Sequence, residues 1–200
     1  VYSGGCVLND AFDQQFDQQF NPDRPIPSGQ IKASTVWAMG TLFIVVGGAI
    51  LVGLAAASPL WTVSLIGAVC LYDWCHKKWV GSVWIMGSCR SFLWLVAGSA
   101  AGAETMNQLI VCSLCVGGYV VGISLFARKE TIRQDAQESS SVATLLLFSP
   151  CLVVLGLLVL WNHLDTTRAF LLSFSGLFIG WVIVKAIMMM KNTRIPGSIG

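Results

Sequence analysis

Residues 9–29 read "NDAFDQQFDQQFNPDRPIPSG". On a helix, at about 100° per residue, Asp10, Asp13 and Asp17 share an arc of about 60°. Phe12, Phe16 and Phe20 fall roughly opposite, so such a helix offers carboxylates to one environment and aromatic rings to another. Asn9 flanks the acidic arc, and Asn21 rejoins it if the helix persists that far. Pro22, Pro25 and Pro27 then stop the helix and stiffen the loop "NPDRPIPSG", which holds Arg24 near the end of the acidic face.

Around this stretch the chain looks made for lipid. It has 200 residues, 55% hydrophobic and 11% charged, with a mean hydropathy of +0.72, far from the usual soluble composition. Six apolar segments, at 35–54, 60–75, 82–100, 108–126, 142–160 and 169–190, approach the roughly 20 residues that cross a bilayer core. The second is the shortest. Residues 1–20 imply a further, partial helix. The chain starts at "VYSGGCVLND" without a methionine and ends in the loop-like "KNTRIPGSIG", so sequence is expected to be missing at both ends. The fold class expected is all-α, a polytopic transmembrane helix bundle.

Alternation of the spans places Arg24, Lys32, Lys77, Lys78, Arg128, Lys129, Arg133, Lys191 and Arg194 on one side and Arg168 on the other. The positive-inside rule makes the basic side, which also holds the aspartates, cytoplasmic. The bacterial inner membrane is the default location, with an organellar membrane the alternative. No basic face with interleaved aromatics points to nucleic acid. The seven cysteines sit mostly within spans, where a thiol behaves as a small apolar residue. Cys112 and Cys115 form a CxxC inside an apolar helix with no partner pair, which argues against metal or redox chemistry.

Three clustered carboxylates repel one another, and at a membrane boundary they call for a bound cation or an acceptor of one. Oxygen ligands without His or Cys favour Mg²⁺. The competing reading is an amphipathic interfacial helix with a solvated acidic face. Two further polar groups fall on the same side. In "LYDWCHKKW", Tyr72, Asp73, His76, Lys77 and Lys78 close an apolar helix, where lysines often serve as interfacial anchors and His76 reads as a boundary residue. In "ARKETIRQD", Arg128, Lys129, Glu130, Arg133 and Asp135 follow a span. Carboxylates that bind Mg²⁺ and cations that bind phosphate are the two halves of a diphosphate site. Arg90 lies midway along a span, where a charge costs at least ~2.5 kcal/mol. It is expected to face the bundle interior, paired with Asp73 or touching substrate.

Asn9, Asp10, Asp13 and Asp17 resemble the NDxxDxxxD motif of the UbiA superfamily of intramembrane prenyltransferases. "NPDRPIPSG" continues the match, and in "YDWCHKKW" Tyr72 and Lys77 stand where that family has its YxxxxK segment. The order of spans and loops is similar along essentially the whole chain, and "CRSFLW" and "ISLFARKE" look closest to the EboC-like branch. The resemblance implies one domain over residues 1–200, part of a nine-helix bundle lacking its first helix, part of its second and its last. It further implies transfer of a prenyl group from a polyprenyl diphosphate to a small acceptor, expected to be aromatic, within the bilayer. Asp10, Asp13 and Asp17, helped by Asn9, would hold Mg²⁺ against the diphosphate. Lys77 and Arg24 would bind the leaving group, and Tyr72 would orient it or face the allylic cation.

The family's second aspartate motif, DxxxD, is replaced here by "ARKETIRQD". Glu130 stands as a substitute metal ligand, while Arg128 and Lys129 are placed to neutralise diphosphate directly. Two other readings stay open. A polytopic transporter or lipid carrier would also bury Arg90 and cluster charge at one mouth, although no internal repeat is visible. A non-catalytic relative that binds isoprenoid diphosphate would explain the altered second motif.

Overall fold

In lipid, backbone N–H and C=O groups must be paired within their own segment, which favours helices for apolar runs such as "TLFIVVGGAILVG". The computed structural model describes residues 1–77, 79, 81–102, 106–131, 142–143, 145–151 and 166–192. At 106, 126, 128–131, 168–169, 172 and 186–192 it describes the helical backbone alone. Among the described residues there is no strand. The helices are α1 (Tyr2–Phe12), α2 (Gln14–Phe20), α3 (Ala33–Gly53), α4 (Pro59–Cys75), α5 (Ser82–Ala100), α6 (Met106–Thr131) and α7 (Thr166–Asn192).

Ala33–Gly53, Ser82–Ala100 and Asn107–Leu125 are long and apolar enough to cross a membrane, and Pro59–Cys75 and Ser173–Lys185 are shorter apolar helices. Helix bounds fall within a few residues of the expected spans, save that of the span expected at 142–160 only 142–143 and 145–151 are described. The helix expected to end at Phe126 instead runs on to Thr131. The reason is local: "ARKE" contains strong helix formers and no Gly or Pro to stop it.

The chain divides into two compact units, Val1–Gly117 and Gly118–Gly200. In the first, α1 lies along α3 and touches α4, while α4 pairs with α5. Association of helices in lipid relies on close van der Waals approach, which small residues permit. On α1 the buried residues are Gly4, Gly5, Leu8 and Ala11; on α3 they are Val36, Gly40, Ile44 and Gly48, one residue per turn. A Cβ on Gly4 would lie 2.9 Å from both Cγ1 and the backbone N of Ile44. The opposite faces of α3 and α5 leave Leu42, Phe43, Val46, Ile50, Trp84 and Trp94 exposed, as suits a lipid surround. Pro59 opens α4 at a position where a missing N–H costs nothing, and the Ser58 N–H donates to Ser99 Oγ of α5 at 3.0 Å. Ala57, Leu65 and Val96 form the core behind this joint. The second unit buries Val121, Ala143, Leu147 and Ile183, and the Cys151 thiol donates to the Gly176 carbonyl at 3.6 Å.

Backbone atoms on the far side of the α1–α3 contact leave no room for a methyl group. Gly4→Ala is expected to lower the thermal unfolding midpoint in detergent micelles, corresponding to about 1–3 kcal/mol. Gly67→Ala, where an added Cβ meets nothing within 4 Å, is expected to leave the midpoint unchanged or raise it.

Candidate functional site: a carboxylate cluster capped by cations

Asp13 is a turn between α1 and α2, yet its backbone stays right-handed, at φ −79° and ψ −3°. The Asp17 N–H still donates to the Asp13 carbonyl at 2.9 Å. Helical phase is therefore kept from Asn9 to Asn21, and the three aspartates stay on one side. Asp13 and Asp17 are buried, at 5% and 2% exposure, whereas the Asp10 side chain is 61% exposed.

The loop after α2 folds back on itself. The N–H of Ser28 donates to the Arg24 carbonyl, that of Gly29 to Ile26 and that of Ile31 to Pro25. Gly29 supplies the left-handed residue, at φ +78°, that a side chain would resist. This brings the Arg24 guanidinium to Asp17 Oδ2 at 3.0 Å and to Asp10 Oδ1 at 3.5 Å. From the end of α4, Lys77 Nζ reaches Asp13 Oδ2 at 2.8 Å and Asp17 Oδ1 at 3.9 Å. The same ammonium lies 3.7 Å above the Phe16 ring. Amide donors complete the set, Asn9 to Asp13 Oδ2 at 3.2 Å and Asn21 to Asp17 Oδ1 at 2.9 Å.

His76 joins the cluster although the sequence reads it as a boundary residue. Its Nε2 stands 3.5 Å from Asp13 Oδ1, its Nδ1 is 3.1 Å from the Asp73 carbonyl, and its ring stacks on Tyr72 at 5.2 Å. The signal was the i, i+4 spacing of Tyr72 and His76 at a helix end. Asp73 was likewise overlooked as more than a partner for Arg90. It is 7% exposed, and its Oδ2 is buried with no hydrogen-bond partner among the described residues. It lies on the buried face of α4 together with Thr62, Leu65, Ala68 and Cys75.

The structure thus brings together Asn9, Asp10, Asp13, Asp17, Arg24, Tyr72 and Lys77. Arg90 does not join them: it is exposed rather than interior, with no ion pair to Asp73 among the described residues. The side chains of Arg128, Lys129 and Glu130, and the whole of Lys78, Arg133 and Asp135, lie outside the described residues.

Beside the cluster lies a cleft of about 330 Å³, with Asp10, Asp17 and Arg24 on its polar wall and Val7, Ile31, Val36 and Met39 on its apolar wall. The donor set consists of hard carboxylate oxygens, the kind that Mg²⁺ prefers. Among the described residues no three of His, Cys, Asp and Glu converge to hold a metal. That is the expected condition for Mg²⁺, which is usually held by one or two carboxylates together with substrate phosphates rather than by an all-protein cage. The residues fit the ion on those terms.

Helices long enough to span a bilayer, exposed apolar faces and a charge cluster at their ends define a polytopic integral membrane protein. The chain belongs to the UbiA prenyltransferase family, whose sequence profile matches residues 1–194. It is similar to proteins named digeranylgeranylglyceryl phosphate synthase. That of Methanospirillum hungatei is 28% identical over 69% of this chain and 48% of its own length. That of Methanopyrus kandleri is 34% identical over 51% and 38%, and that of Methanothrix thermoacetophila 42% over 30% and 22%. The matches span at most about half the length of these relatives. No solved structure matches significantly.

Because Asp73 Oδ2 is buried without a donor among the described residues, an apolar replacement of similar volume relieves a desolvation cost. Asp73→Leu is expected to raise the thermal unfolding midpoint, corresponding to about 1–3 kcal/mol. A fall in the midpoint would show that the carboxylate has a partner in the folded protein.

Proposed function

We propose that the protein transfers a prenyl group from a polyprenyl diphosphate to an acceptor inside the membrane, with Mg²⁺ assisting departure of the diphosphate. The observation that carries this reading is the pairing of two buried carboxylates with Arg24 and Lys77 beside an amphiphilic cleft. Asp13 and Asp17, with Asp10 and Asn9 at the rim, would hold Mg²⁺; Glu130 is retained as a candidate ligand. When bound, the ion would neutralise charge that grows on the diphosphate as the allylic C–O bond breaks.

Arg24 and Lys77 bind the diphosphate oxygens, Arg24 through its forked donors and Lys77 as a point charge. Arg128 and Lys129 are retained as further anion-binding residues, and Arg90 as a candidate substrate contact. Tyr72 orients the diphosphate or presents its ring face to the allylic cation. The apolar helices sheathe the isoprenoid chain and limit access of water, the competing nucleophile. The names of the relatives favour an acceptor of the glyceryl phosphate class over the aromatic acceptor expected from the sequence. The proposed location is the cell membrane, with the motif loops cytoplasmic and residues 1–200 forming part of one prenyltransferase domain.

The test uses the full-length protein in membranes, supplied with radiolabelled geranyl, farnesyl or geranylgeranyl diphosphate and either geranylgeranylglyceryl phosphate or a panel of phenols. Mg²⁺-dependent lipid product is expected, reduced about 100-fold or more by Asp13→Ala and by Lys77→Met. Product formed at the wild-type rate by Asp13→Ala would overturn the reading. Transport of an isoprenoid lipid without any product would favour a carrier instead.

A further inference from the structure

Three of the four oxygens of the two buried carboxylates already take a donor. Asp13 Oδ2 takes Lys77 and Asn9, and Asp13 Oδ1 faces His76. Asp17 Oδ2 takes Arg24, and Asp17 Oδ1 takes Asn21 with Lys77 beyond it. A divalent cation arriving alone would have to displace an ammonium or a guanidinium from a partner buried beneath it. It would then share a poorly hydrated pocket with the like charge it had displaced.

The cations lie on the solvent side of the carboxylates. Side-chain exposure is 48% for Arg24 and 28% for Lys77, against 2% for Asp17 and 7% for Asp13. An incoming anion therefore meets the cations first. Diphosphate oxygens give Lys77 and Arg24 a replacement partner, and only then do the aspartate oxygens become available to a metal. Phe16, beneath the Lys77 ammonium at 3.7 Å, keeps that charge at the cluster in the absence of the anion.

We infer that Lys77 and Arg24 act as internal counter-ions that make metal binding conditional on diphosphate, so that the site selects a metal–diphosphate pair and rejects the free cation. This inference rests on the diphosphate reading above and deepens it. Linkage requires that diphosphate strengthen metal binding by the same factor as metal strengthens diphosphate binding. The inference also assigns Lys77 two opposed effects, favouring the diphosphate complex and disfavouring metal alone.

The experiment titrates the full-length protein in detergent micelles with Mn²⁺, followed by electron paramagnetic resonance, with and without geranylgeranyl thiolodiphosphate, which does not ionise. In the wild type, Mn²⁺ is expected to bind at least about tenfold more tightly with the thiolodiphosphate present. Lys77→Met is expected to bind Mn²⁺ alone about tenfold more tightly than the wild type and to lose most of the thiolodiphosphate-dependent gain. Arg24→Gln, at a half-exposed position, is expected to shift both quantities in the same directions if Lys77→Met does not fold.

Mn²⁺ affinity that is unchanged or weaker in the folded variants, with the wild-type pair still bound in an Asp13-dependent manner, would overturn the counter-ion inference and leave the diphosphate reading standing. Binding of the pair that Asp13→Ala leaves intact would overturn both.

Discussion

Two carboxylates buried beside lipid-facing helices persist only if their charge is matched, and the match at Asp13 and Asp17 comes from two separate parts of the chain. Arg24 arrives on the folded-back loop after α2, and Lys77 from the turn that ends α4. An unpaired buried carboxylate would carry a desolvation penalty of several kcal/mol, so the end of α4 and the proline-rich loop are both tied to the helix that bears the aspartates. The tight approach of α1 to α3 through Gly4 and Gly40 then holds that helix in place. Its acidic face remains turned toward the two cations.

These two kinds of contact differ in what they can become. The glycine contact has one solution, because backbone atoms lie across from it and a displacement of a few tenths of an ångström already produces a clash. The ion pairs can exchange partners, because Lys77 and Arg24 are long, partly exposed side chains anchored at one end. A rigid helix pair beneath an exchangeable charge layer suits a site that must accept and release a highly charged group without moving its scaffold.

Much of this was legible in the sequence because it depended on local periodicity. The phase of Asp10, Asp13 and Asp17 survives the turn at Asp13, and five of the six apolar runs became α3 to α7 with bounds moved by a few residues, the run at 142–160 lying mostly outside the described residues. Arg24 and Lys77 could be placed because a proline-rich loop and a helix end restrict where their charges can go. His76 and Asp73 were less legible, since their roles depend on which face of α4 meets α1, a tertiary fact that a single helix does not encode.

The cluster stands at the junction between the polar loop and the apolar helices, and its cleft has a charged wall and an apolar wall. On the proposed function both substrates are amphiphiles: a diphosphate on an isoprenoid chain and an acceptor of the glyceryl phosphate class. Each keeps its anionic head at the boundary and its chain among the helices, because either part is costly to place in the other's medium. Two phosphate-bearing heads at one boundary repel each other unless cations lie between them. On the counter-ion inference, Arg24 and Lys77 would neutralise one head on leaving the aspartates, whose oxygens would then be available to hold a metal. Positive charge would gather at the reacting end in step with the negative charge the substrates bring. The buried carboxylates would thereby be matched by different cations before and after the diphosphate binds.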